Sequence, residues 1–214
     1  MNAETDNSTR RQKVFVVDDD NSARESLTWL LNTEGIETES YASAEAFLDN
    51  WSADLAGCIT ADIRMPGKSG LQLQAKLNEL GNMMPIVILT GHADVPVAIR
   101  AMKQGAFDFL QKPYSDEELL TCVNNALHLE NDIYLSQQNL LVAIDDYRQL
   151  TERERAVMGR VVDGLTNKLI ASELGISEKT VEVHRARMME KMGAKTLSEL
   201  VRIGMVLDQR LEHD

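Results

Sequence analysis

Five short apolar runs, each followed by a segment of helical character, constrain this chain more than any other feature. The runs lie at residues 14–17, 38–41, 57–61, 86–89 and 107–110. Three are almost continuously apolar, the texture of strands covered on both faces of a parallel sheet. Between them, 23–33 places Leu27, Leu30 and Leu31 on one side, 70–80 places Leu73, Leu77 and Leu80, and 95–104 places Val95, Ile99 and Met102. A further helix begins at Ser115, an N-cap with Glu118 three residues on. Five strand–helix units predict a doubly wound α/β sheet with right-handed crossovers.

That last helix has no stop signal. From 116 to 149 there is neither Pro nor Gly, and Leu127, Ile133, Leu140, Leu141, Ile144 and Tyr147 continue a helical stripe. The span far exceeds an ordinary helix of ~11–12 residues. Residues 129–149 therefore read as a helical linker, which either pairs with a second copy of itself or packs on its own domain. From residue 150 the texture changes to short helices separated by Gly, at 152–162, 167–174, 178–192 and 197–207, with Thr151 and Ser177 as N-caps. The expected organisation is a disordered tail 1–12, an α/β domain 13–128, a helical linker 129–149 and a small all-α domain 150–214.

The net charge of −12 argues at first against nucleic acid, but residues 150–214 hold 11 basic and 11 acidic residues, so the excess acid belongs to the first part. The second part can still gather its bases on one face. Cys58 and Cys122 have no CxxC or Cys/His company and read as buried thiols rather than zinc ligands. The polar N-terminus lacks a signal-peptide core, and no apolar run approaches the ~18 residues a membrane helix needs. A soluble cytoplasmic protein without a membrane partner is expected.

Carboxylates gather where the strands end. Asp18, Asp19 and Asp20 follow the first run and Asp62 the third, while Thr90 closes the fourth and Lys112 follows the fifth, just before Pro113. In an open α/β sheet, ligands bind beyond the carboxyl ends of the strands, where strand order reverses. Carboxylates crowded there require a cation, and an open oxygen site suits Mg²⁺. Asp20 reads as a turn or helix cap, and His92 as a loop residue without a chemical role.

The segments VVDDDNSARESL, TADIRMPGKSG, ILTGHADV and FDFLQKPY resemble the receiver domain of two-component response regulators over 13–128. The spacings agree: 43 residues from Asp19 to Asp62, 28 to Thr90 and 22 to Lys112. The resemblance implies a flavodoxin-like sheet of order 2-1-3-4-5. It makes Asp62 the phosphoacceptor, and it implies Mg²⁺ (or Mn²⁺) at Asp18, Asp19, Asp62 and the Arg64 carbonyl. Lys112 and Thr90 would meet the phosphoryl oxygens, the Lys112–Pro113 bond would be cis, and Thr90 and Phe109 would form the switch. A sensor histidine kinase would be the donor, and residues 95–118 would form a face for a phosphorylation-dependent homodimer.

The second part places a turn, Gly175-Ile176-Ser177, between two helices, as a helix-turn-helix does. On the second helix Val181, His184 or Arg185, Met188 and Met192 are spaced for burial, and Lys179, Glu182, Val183, Ala186 and Arg187 lie opposite. His184 reads as a packed structural residue. The 197–207 stripe, with Leu200, Ile203 and Leu207, is either core or a dimer surface. LTERERAVMGRVVDGLTNKLIASELGISEKTVEVHRARMMEKMGAKTLSELVRIG resembles the LuxR-type DNA-binding module, and the whole chain resembles the NarL/FixJ family, closest to its FixJ branch.

By that resemblance the motif runs from about Asn167 to Ala186 and sends its second helix into the major groove. Glu182, Val183 and Ala186 would face base edges. Lys168, Lys179, Arg185, Arg187 and Lys191 would meet phosphates, with Thr180 beside them. The function implied is a phosphorylation-controlled transcription regulator, an activator at promoter DNA that engages RNA polymerase. It would not be an enzyme beyond its own phosphoryl acceptance and hydrolysis. Two other readings stand beside it: an interaction module that works without phosphorylation, and a haloacid-dehalogenase-like phosphatase using Asp18 and Asp20, since Asp18–Ser22 also fits DxDx[TSV].

Overall fold

The computed structural model describes residues 10–91 and 95–211, the last three by their backbone alone. Its elements run β1 (Lys13–Val17), α1 (Asn21–Thr33), β2 (Thr38–Tyr41), α2 (Ala44–Asn50), β3 (Gly57–Asp62), α3 (Gly70–Glu79), β4 (Ile86–Thr90), α4 (Val95–Lys103), β5 (Asp108–Gln111), α5 (Asp116–Arg148), α6 (Glu152–Val162), α7 (Asn167–Leu174), α8 (Glu178–Lys191) and α9 (Leu197–Leu211). Packing divides the chain into two units, Met1–Ile133 and Tyr134–Asp214, and α5 runs without a break through the division.

In the first unit all five strands are parallel, in the order β2-β1-β3-β4-β5. The central strands β3 and β4 are buried at every position, whereas the edge strands β2 and β5 are half-exposed. Alternation along each strand feeds two cores. Phe15, Val17, Ile59 and Ile88 pack with Phe47 of α2 and Leu73 and Leu77 of α3. Val14, Val16, Val87 and Leu89 pack with Leu27 and Leu31 of α1 and Leu119 and Val123 of α5. Each fully buried side chain of this size stabilises the fold by about 1.5–3 kcal/mol relative to exposure. Cys58 and Cys122 are free thiols within the second core, and burial foremost, with Asp108 beside it, pushes the Cys122 thiol up to about 12.

Three features go beyond what the sequence specified. The helix after the second strand was expected from the five strand–helix units but given no bounds, because the seven residues of α2 bury only Ala44 and Phe47; its signal is Ser43, whose hydroxyl caps the helix at Ala46 N–H. On α4, Val95, Ile99 and Met102 share one side at the expected helical spacing, but all three are exposed and Ala101 is the buried residue. Small side chains let this helix lie close on the sheet and leave the large apolar stripe facing solvent. The third concerns the expected tail 1–12. Residues 1–9, like His92, lie outside the described residues. Arg10 donates to Glu130 and to the Leu55 carbonyl, and Gln12 donates to the Leu127 carbonyl and to Glu130, whose carboxylate is buried on α5.

The second unit is all-helical. Val157, Met158 and Val161 of α6, Ile170 of α7, Val181 and Met188 of α8, and Leu200 and Leu207 of α9 form its core. Ala143, Ile144 and Tyr147 of α5 pack against it, so this half of the expected linker packs on the helices of the second unit itself. Thr151 and Glu154 form a capping box at the start of α6. The 197–207 stripe divides: Leu200 and Leu207 are core, while Leu197, Met205 and Val206 are exposed. Among the described residues no helix is long and apolar enough to cross a membrane.

Candidate phosphorylation site and DNA-binding surface

The parallel register brings the strand ends together. Val17 pairs with Ala61, and Asp62 pairs with Leu89. Asp18, one residue beyond β1, therefore lies beside Asp62, the last residue of β3, at the boundary where the chain winds in opposite directions from β1 and β3. Both residues are buried, at 3% and 8% exposure. Lys112 reaches them from the end of β5, with Nζ 2.7 Å from Asp18 Oδ2 and 2.8 Å from Asp62 Oδ1. Its backbone N–H donates to the Thr90 carbonyl at 2.6 Å, and the Lys112–Pro113 bond is cis.

The other carboxylate oxygens are held by backbone. Asp20 N–H donates to Asp18 Oδ1 at 2.9 Å and Arg64 N–H donates to Asp62 Oδ2 at 2.7 Å. Burial works against the charge on Lys112, but hydrogen bonds and charges from Asp18 and Asp62 outweigh it and hold the ammonium pKa above the usual lysine value. Asp19 is exposed, and its carboxylate has no hydrogen bond or ion pair among the described residues. Thr90 is buried at the end of β4, and Phe109, beside Ile88 in register, is partly buried against the core.

The turn behind Asp62 is shaped by close approach. Helix α3 starts so near β3 that a Cβ on Gly70 would lie 2.4 Å from the Asp62 carbonyl oxygen. Ser69 caps α3 with a reciprocal bond from Gln72, and Glu45 of α2 accepts the Lys68 backbone N–H at 3.0 Å. Neither tie was foreseen from sequence. Asp20 acts as the N-cap of α1, its Oδ1 accepting from Ser22 and Ala23 N–H. That task leaves it unsuited to be the acid of a DxDx[TSV] phosphatase.

Among the described residues no group of three His, Cys, Asp or Glu side chains is gathered tightly enough to hold a metal. Lys112 lies between two of the acids and Asp19 faces solvent. The donor chemistry still fits Mg²⁺: hard oxygens from Asp18, Asp19, Asp62 and the Arg64 carbonyl, at an open rim where waters can complete the shell.

In the second unit, Gly175 closes α7 with φ 64°, a left-handed conformation that suits Gly, and Ser177 caps α8 at Thr180 N–H. Val181 and Met188 are fully buried, and His184 is partly buried with a buried Nδ1. Lys179, Glu182, Val183, Ala186 and Arg187 share the exposed face of α8, Thr180 is half-buried beside them, and Lys168 is exposed on α7. Two expected phosphate contacts are otherwise engaged. Arg185 donates to Asn167 Oδ1 at 2.9 Å, tying α8 to the start of α7. Lys191 Nζ lies 2.7 Å from Glu154, whose side chain is buried, and 3.2 Å from the Gln149 carbonyl. Both are drawn inward because Asn167 and Glu154 present acceptors that solvent does not reach well. Hydrogen bonds from Lys191 and then Thr151 pull the Glu154 carboxyl down to about 2.

Comparison with known families settles the class. Residues 14–124 match the response regulator receiver domain, and residues 148–204 match the bacterial regulatory proteins of the luxR family. The chain is a response regulator of the NarL/FixJ type. The regulator is 44% identical over 192 residues to the transcriptional regulatory protein TdiR of Thauera aromatica, covering 90% of this chain and 85% of that one. It is 44% identical over 193 residues to the transcriptional regulatory protein FixJ of Azorhizobium caulinodans, covering 90% and 92%. The solved structure of the response regulator StyR is similar, with TM-score 0.75 and 40% identity over 91% of this chain and 98% of that one. The regulator thus pairs a receiver with a LuxR-type DNA-binding domain, in a family of transcription regulators rather than classical enzymes. A kinase and DNA are the partners this pairing implies, and receiver domains generally bind Mg²⁺ at the phosphorylation site.

Proposed function

We propose that Asp62 accepts a phosphoryl group from a sensor histidine kinase and that this controls promoter binding by the second unit. The observation that carries the reading is the Asp18–Lys112–Asp62 arrangement at the sheet edge. An Asp62 oxygen attacks phosphorus, a P–O bond forms, and the donor's bond to phosphorus breaks with its electron pair leaving on the donor. Mg²⁺ or Mn²⁺, held by Asp18, Asp19, Asp62 and the Arg64 carbonyl, would screen repulsion between the two anions. Lys112, already charged and in contact with Asp62, follows the incoming oxygens and compensates roughly 1.5–2 added negative charges. Water later returns the carboxylate, so the chain's own chemistry ends at phosphoryl acceptance and hydrolysis.

Thr90, buried beside this site, moves toward the phosphoryl group, and Phe109 turns into the space released. A shift from 1:99 to 99:1 requires about 5.5 kcal/mol in favour of the active state. Dimerisation supplies part of it. The exposed Val95, Ile99 and Met102 stripe supports a homodimer through α4 and β5, since a receiver has no internal use for it. The domains are then the receiver 13–128, the linker 129–149 and the DNA-binding domain 150–214, in a cytoplasmic activator that engages RNA polymerase.

On DNA, Glu182, Val183 and Ala186 read base edges, with Thr180 beside them, while Lys168, Lys179 and Arg187 contact phosphates. Arg185 and Lys191 reach phosphates only by giving up their partners. The test is selection of host genomic fragments by the full chain with and without a small phosphodonor. The proposal requires fragments held more tightly after phosphodonor treatment, with affinity falling linearly in log[salt]. Salt-independent binding, or none in either state, contradicts it.

A further inference from the structure

We infer that Arg24 is a positioning residue of the phosphorylation site, one that holds the Asp18–Asp19 peptide so that the Asp19 carboxylate is presented to a divalent cation. The inference rests on the site proposed above and concerns a residue to which that reading gives no role.

Arg24 lies one turn into α1 and is partly buried. Its Nη1 donates to the carbonyl oxygen of Asp18 at 2.8 Å, and its Nη2 donates to Asn21 Oδ1 at 2.6 Å. The Asn21 amide is oriented in turn, because its Nδ2 donates to Glu25 Oε1 at 2.7 Å. One planar guanidinium thereby bridges the helix and the loop through two separate donors.

The target of that bridge is a particular peptide. The Asp18 N–H is bound to the Tyr41 carbonyl at 3.2 Å, and the Asp18 side chain is held by Lys112 and by Asp20 N–H. Asp20 is fixed as the cap of α1. Between these anchors, the Asp18 carbonyl is the group whose direction sets the plane of the Asp18–Asp19 peptide, and so where the Asp19 side chain leaves the backbone. Arg24 is its side-chain anchor. Asp19 is also the one acid of the site that Lys112 does not reach, so nothing else among the described residues orients it.

Position and charge make opposite demands here, which separates them by experiment. Arg24 is a cation beside an acidic cluster, so deleting its charge alone would strengthen divalent binding. Deleting its positioning weakens binding, and loss of an outer-shell partner of a metal ligand typically costs 10–100-fold in affinity. The experiment is calorimetric titration of the full chain with Mn²⁺, with the melting temperature of the cation-free chain measured for every variant. Wild type binds, and Asp19→Asn loses most of that affinity. Arg24→Ala is expected to bind about tenfold more weakly. Arg24→Lys, which keeps the charge but has one nitrogen in place of two, also weakens binding. Asn21→Ala, which removes the second anchor, weakens it less.

Affinity in Arg24→Ala equal to or tighter than wild type overturns the inference, as does full recovery in Arg24→Lys. Should Arg24→Ala melt well below wild type, Arg24→Lys and Asn21→Ala decide by the same criterion. Absence of Mn²⁺ binding by wild type would instead overturn the metal site itself, a separate outcome.

Discussion

Lys112 Nζ lies 2.8 Å from Asp62 Oδ1, an ion pair that joins the end of β5 to the end of β3. The same ammonium holds Asp18, so one cation stabilises two buried carboxylates. Removing it leaves them facing each other. Breaking a buried pair costs about 3–5 kcal/mol, and the quarter-exposed ammonium reduces that, so Lys112→Met should destabilise the receiver by about 1–3 kcal/mol. Urea unfolding measures it, and Mg²⁺ should restore part of the loss.

The sign of the pH effect follows from the raised Lys112 pKa. The folded state holds this proton more tightly than the unfolded state, so the stabilisation is complete below the ordinary value of 10.5. It is lost as pH rises through the higher folded value. The stability gap between wild type and Lys112→Met should stay flat from about pH 6 to 9 and narrow above about 10.5.

Gly70→Ala should disturb the acceptor directly. The new Cβ would sit 2.4 Å from the Asp62 carbonyl, and backbone has to move to admit it. Overpacking of this kind costs about 1–3 kcal/mol. Phosphoryl acceptance from a small donor should slow as well, whereas Gly159→Ala, within α6 where a Cβ meets nothing within 4 Å, should leave the rate alone.

Ile99→Asp should separate phosphorylation from association. Ile99 is half-exposed on α4 and contributes little to the receiver core. A charge in a desolvated contact costs about 2 kcal/mol or more, roughly thirtyfold in dimer affinity. Sedimentation of the phosphodonor-treated chain should show monomer, with phosphoryl incorporation near the wild-type level.

The second unit should weaken in acid through Glu154. Its carboxyl is held at about 2 by Lys191 and Thr151, so the unfolded state takes up a proton first as pH falls. The stabilisation is complete above the ordinary value of 4.5 and disappears toward pH 2. Lys191→Met should remove most of this dependence and lower stability by about 1–3 kcal/mol at neutral pH, measured by thermal unfolding across that range.

Much of this architecture was legible because the informative residues are consecutive. The 57–61 run announced a buried strand by its continuity, and Asp62 followed it directly. The spacing of Asp19, Asp62, Thr90 and Lys112 made the receiver recognisable before any contact was known. What stayed hidden depends on contacts between distant residues. Arg24 looks like any helix-surface arginine until its bond to the Asp18 carbonyl is seen. The bond between Lys191 and the buried Glu154 was equally out of reach of the sequence.

Helix α4 shows a different failure. It packs through Ala101 and exposes the one-sided stripe of Val95, Ile99 and Met102. Periodicity locates an apolar stripe but does not say whether its partner is the same chain. Helix α2 was simply too short for periodicity to register.

The proposed point of entry of the phosphoryl group is Asp62. Its most direct test is intact-protein mass measurement after incubation with Mg²⁺ and acetyl phosphate, comparing wild type with Asp62→Asn. Wild type should gain the mass of one phosphoryl group, and Asp62→Asn should gain none. Undiminished incorporation in Asp62→Asn would contradict it.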